Sequence, residues 1–141
     1  MSAFFSILRA EPSVRKLTEE LAAEPQQILV HGFAGSLKHA AVAAAYDGAP
    51  RPLVIVTNGR EALRAWQEDL VSLLPEADVY ELPELDRIDF AAPGAAKSLE
   101  RSAQRMNILA RLLRHEPIIV LADIGAAAQK GMSAAEFSRA S

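Results

Sequence analysis

The chain has 141 residues, half of them hydrophobic and 23% charged, with no cysteine and a formal charge of −3 at neutral pH. That length fits one domain with one core, and that composition excludes disordered, collagen-like and disulfide-scaffold classes. The acidic balance, with a pI near 5.6, argues against a general electrostatic nucleic-acid binder, which would be basic overall.

Without cysteine there is no disulfide, thiolate metal site or cysteine nucleophile. His31, His39 and His115 lack zinc-ligand spacing, so neither a metal site nor a cofactor is expected. The apolar runs at 28–30, 53–56 and 118–122 are strand-sized, far short of the ~20 residues of a bilayer span. Residues 1–16 have no basic lead and no cleavage site of the secretory kind. The expected setting is cytoplasmic, with no membrane partner.

Residues 1–26 read as a helical segment. Ser13, after Glu11 and Pro12, starts a helix carrying Val14, Leu17 and Leu21 that ends near Pro25. An α/β domain follows over 27–131. Its runs at 27–31, 53–57 and 118–121 are rich in Val and Ile, with a further strand candidate at 77–82. Continuous apolar runs separated by helix-length segments are the mark of buried parallel strands with helical crossovers. The expected fold is therefore a three-layer α/β sandwich with a mostly parallel sheet of about four or five strands.

Between the strands, Asn58 with Glu61 three residues on predicts a helix start, and Leu63, Trp66, Leu70, Leu73 and Leu74 share a face before Pro75 ends it. Residues 82–96 read as a long ordered loop holding Glu84, Asp86, Asp89 and Phe90 just after Glu81, and loops of that length are often functional. As a paired-carboxylate or metal site these acids lack a partner histidine, so a solvated loop is the preferred reading.

From 97 to 115, Leu99, Ala103, Met106, Leu109, Ala110 and Leu113 lie on one side of a helix and are expected to face the core. Lys97, Arg101, Arg105, Arg111 and Arg114 form the opposite stripe. That stripe is read as a solvated face, with docking to DNA, an acidic partner or another domain as the alternative. A short Ala-rich helix is expected after Asp123, and 132–141 reads as a segment leading toward a further domain.

The first strand runs through Gly32-Phe-Ala-Gly-Ser-Leu-Lys-His39 into a helix that starts near Ser36. Strand, glycine turn and helix form the setting of a phosphate-binding loop, where backbone N–H groups and a helix N-terminus hold anionic oxygens. Against G-x-x-x-x-G-K-[ST], Gly32 and Lys38 match, but Leu37 replaces the second glycine and His39 the hydroxyl residue. Leu37 brings a Cβ where phosphate must approach, and His39 lacks the oxygen that ligates Mg²⁺. Gly32, Gly35, Ser36 and Lys38 could hold an anion weakly at most, and no catalytic residue is assigned. His31 is expected to be a turn residue and His39 a helix-surface residue. An α/β-hydrolase oxyanion loop is the other reading, but none of the ten serines sits in a G-x-S-x-G elbow.

The run 32–44, the strand 53–57 with Asn58-Gly-Arg-Glu-Ala-Leu63, and Asp69-Leu70 resemble the N-terminal domain of the bacterial transcription-repair coupling factor (Mfd) family. The stretch Glu81-Leu-Pro-Glu-Leu-Asp-Arg-Ile-Asp-Phe90, then Pro93 and Glu100-Arg101, is similar to that family's F-P-x-W-E-x-L-P-Y-D…S-P…E-R-L pattern. Leu85, Asp89 and Ala91 stand where the family usually carries tryptophan, proline and aspartate. The similarity covers about residues 15–137.

The resemblance implies a domain built like the nucleotide-binding domain of UvrB, P-loop NTPase-like with a degenerate nucleotide site. It implies a non-catalytic scaffold inside an ATP-dependent DNA translocase that displaces stalled RNA polymerase and recruits nucleotide excision repair. ATP and Mg would belong to a separate motor. Partners would be other domains of the same protein and, for the whole protein, RNA polymerase, DNA and UvrA. A nucleotide-binding P-loop ATPase domain and a standalone interaction module are the alternatives.

Overall fold

The computed structural model describes residues 2–23, 27–85, 95–129, 131 and 139. Two helices come first, α1 (Ser2–Ala10) and α2 (Pro12–Ala22). Both fall in the stretch read as helical, and the first is held by Phe5, which is fully buried. Proline opens α2, where its missing N–H costs nothing. The cap is Glu11, two positions before Ser13, and its carboxylate accepts from the Ser13 and Val14 backbone N–H groups.

Then follow α3 (Leu37–Gly48), β1 (Leu53–Thr57), α4 (Arg60–Leu73), β2 (Asp78–Glu81), α5 (Ala95–Leu113), β3 (Ile118–Asp123) and α6 (Ile124–Ala128). Gly59, with φ of 95°, is the residue before α4 and makes no side-chain cap. Asn58 is therefore not the cap. The Gly59 N–H donates instead to Asp123 at 3.0 Å, which ties the end of β1 to the end of β3.

The sheet has three parallel strands in the order β1-β3-β2. Leu53 lies opposite Ile119 and Thr57 opposite Asp123; on the other side Asp78 lies opposite Ile118. The central strand is buried from Ile118 to Ala122, which is why it reads as an unbroken apolar run. On one face Ile119 and Leu121, with Leu53, Ile55 and Val79 beside them, meet Phe5, Val14, Ala41, Ala44, Leu63 and Leu70. On the other face Ile118, Val120, Ala122 and Leu82 meet Ile108, with Tyr80 and Leu112 at the margin. The chain is thus an α/β fold with helices on both faces of a small parallel sheet.

Residues 27–31 depart from expectation. Among the described residues they are in no strand, so the sheet has three strands and not four or five. Leu29 is 90% exposed and Val30 nearly half-exposed. Val and Ile content favours a strand only where a neighbouring edge completes the hydrogen-bond ladder, and this run instead borders a groove against α2.

Helix α5 departs too. Arg105, Ile108 and Leu112 turn toward the sheet, while Leu99, Ala103 and Leu113 are exposed. The face read as core is the outer one. The cause is polar: the Arg105 guanidinium donates to the carbonyls of Pro83 and Ala126, both at 3.0 Å, and those bonds fix the rotation of the helix. Among the described residues no helix is long and apolar enough to cross a membrane.

Candidate functional site

The glycine turn leads into a helix as expected, but among the described residues no strand precedes it. Gly32 and Gly35 have φ of 91° and 54°, a region that glycine enters freely and other residues enter at a cost. No atom lies within 4 Å of where a Cβ would stand on either, so the requirement is conformational and not steric. Helix α3 then starts at Leu37, with Ser36 before it and Lys38 exposed on its first turn.

The position that would carry the Mg²⁺-binding hydroxyl is used differently. His39 is only 5% exposed, not on the helix surface as its sequence context suggests. Its Nδ1 lies 2.5 Å from Oδ2 of Asp69 on α4, and its ring packs on Trp66 with centroids 4.0 Å apart. The Asp69 carboxyl is held below its ordinary range, first by the hydrogen bond with His39 and then by one with Ser36. The loop, α3 and α4 are therefore joined by a Ser36–Asp69–His39 clasp. In this order the carboxylate stands between the hydroxyl and the imidazole, so the serine is not presented to the histidine as a nucleophile to a base.

Beside the loop, a groove of about 450 Å³ runs between 27–33 and Ser13, Lys16, Leu17 and Glu20 of α2. It carries one cation and one acid from α2, so it does not concentrate positive charge on a phosphate. Asp123, at the end of the central strand, has both oxygens engaged: one accepts from Gly59, the other from Gly125 at 2.8 Å. Among the described residues no group of three or more His, Asp or Glu is placed to hold a metal ion.

The cationic residues of α5 do not form one face. Arg105 is 5% exposed and its Nε has no hydrogen-bond partner. Arg111 bonds Asp78, Glu116 and the Tyr80 hydroxyl and lies over the Tyr80 ring. This network raises the Arg111 guanidinium above its ordinary range, chiefly through Asp78. It also lowers the Glu116 carboxyl, through Arg111 first and Arg114 second. Lys97, Arg101 and Arg114 are exposed. Of the acids after the second strand, Glu81 pairs with Arg60 at 3.1 Å and Glu84 is exposed; Asp86, Asp89 and Phe90 lie outside the described residues, as do most of 132–141.

Sequence reasoning missed Asp69 and the buried role of Arg105. Asp69 sits thirty residues from His39, and only the packing of α3 on α4 brings them together. For Arg105 a signal existed: its neighbours three and seven residues on, Ile108 and Leu112, continue an apolar row. Comparison with known proteins finds no matching family model, no matching curated protein and no matching solved structure.

Proposed function

We propose that this chain is a non-catalytic N-terminal domain of a transcription-repair coupling factor. In this reading it is a scaffold within a DNA translocase that displaces stalled RNA polymerase and recruits nucleotide excision repair. The fold would be a P-loop NTPase-like domain whose nucleotide site has degenerated. The observation that carries the non-catalytic part is the clasp: His39 is buried against Asp69, so the residue at the Mg²⁺ position faces away from any phosphate. Leu37 in place of glycine acts in the same direction. The family assignment rests on the ordered sequence similarity over about 15–137.

Titration of the 141-residue chain with Mg-ATP tests the first part. No saturable binding is expected in the micromolar range; Mg-dependent binding that Lys38→Ala abolishes overturns it. Sequencing the source reading frame beyond codon 141 tests the assignment. Continuation into a partner-binding domain and a motor with an intact phosphate loop is expected, and an immediate stop codon refutes it.

A further inference from the structure

The outward face of α5 is a regular apolar seam. Leu99, Ala103, Met106, Ala110 and Leu113 are spaced alternately by four and three residues, the a/d repeat of a helix that packs against another helix. Leu99 and Leu113 are 49% and 43% exposed, whereas Ile108 on the opposite side is buried in the sheet. One side of α5 therefore holds it to its own sheet, and the other carries no helix among the described residues.

We propose that the seam pairs with α5 of a second copy of this chain, the two helices antiparallel about Asn107. Two features of the sequence favour this occupant and this direction. In an antiparallel pair of this register, Ala103 lies level with Leu113 of the other copy and Met106 with its Ala110. These layers each join one large and one small side chain, the alternation that fills a helix interface, while Leu99 lies beyond the end of the other copy's α5. A parallel pair sets alanine against alanine and methionine against methionine.

Charge gives the second feature. Glu100 on α5 and Arg114 in the turn just after it lie on one flank of the seam, each seven residues from Asn107; both are exposed, and Arg114 also pairs with Glu116 of its own chain at 2.8 Å. Reversal about Asn107 places Glu100 of each copy opposite Arg114 of the other, so the interface gains two opposite-charge pairs by symmetry. A parallel pair forfeits both. On the other flank the half-buried Leu109 meets its own symmetry mate. Because α5 is the layer over this face of the sheet, a helix laid along its outer side meets α5 before the sheet. The pairing stands independently of the proposed repair role.

Sedimentation velocity on the 141-residue chain across a wide concentration range tests it, with circular dichroism to show that each variant is folded. A monomer–dimer equilibrium is expected, weakened on the order of tenfold by Glu100→Arg, which turns two attractions into two repulsions. The double change Glu100→Arg with Arg114→Glu restores it. A chain that stays monomeric, a dimer indifferent to Glu100→Arg, or a double variant as weak as the single one overturns the proposal. The chain has no cysteine, so Asn107→Cys gives an independent reading. A short bis-maleimide is expected to link two copies through position 107 and not through Gln104→Cys, and equal or absent linking at 107 also overturns it.

Discussion

At the scale of single residues, the clasp gives a buried imidazole a partner and joins two helices at once. Burying an imidazole without a partner costs about 1–3 kcal/mol, and Asp69 removes that cost for His39. Asp69→Ala is therefore expected to destabilise the chain by about that amount in urea unfolding at neutral pH. The pH dependence has a fixed sign. The folded Asp69 carboxyl titrates below its unfolded value, so its contribution is present above the ordinary aspartate range and is lost as pH falls through the depressed folded value. Stability of the unsubstituted chain should fall on acidification, and Asp69→Ala should make that decline shallower. It should not abolish it, because Glu116 is depressed in the same direction. An acid limb unchanged by Asp69→Ala would refute the clasp's part in stability.

At the scale of elements, the parts legible in the sequence are those where local pattern and tertiary need coincide. The strand at 118–123 is an example: Ile, Ile, Val, Leu and Ala are all buried at the centre of the sheet, and centrality is what an unbroken apolar run encodes. The same composition at 28–30 misleads, because a strand also needs a partner edge, which no local signal records. The phosphate-loop mismatches were legible residue by residue, whereas the clasp that occupies His39 was not, since Asp69 belongs to another helix. Helix α5 shows a third case, in which a buried arginine outweighs the apolar stripe and sets the helix rotation. A paired substitution separates the two runs. Val120→Ala is expected to cost about 1–3 kcal/mol by removing buried methyl groups. Leu29→Ala, at 90% exposure, should change stability by no more than about 0.5 kcal/mol. A large loss from Leu29→Ala in chemical denaturation would show that 27–31 is a buried strand after all.

At the scale of the whole molecule, the loop and the helical layer compete for the same residues. A working phosphate loop needs glycine at 37 and a hydroxyl at 39 turned toward the ligand. The fold instead uses Leu37 to begin α3 and turns His39 inward to hold α3 on α4. Introducing the consensus with Leu37→Gly and His39→Thr would thus remove a stabilising contact before it could create a site. Glycine in a helical position costs about 1 kcal/mol, and losing the imidazole leaves Asp69 and Trp66 beside a void. The double variant is expected to be less stable by about 2–4 kcal/mol and still not to bind Mg-ATP. Asp123, at the end of β3, stays committed to Gly59 and Gly125. Isothermal titration beside thermal unfolding reads both quantities on one preparation. A variant that gained Mg-dependent nucleotide binding would show that positions 37 and 39 alone decide whether this loop can hold a nucleotide.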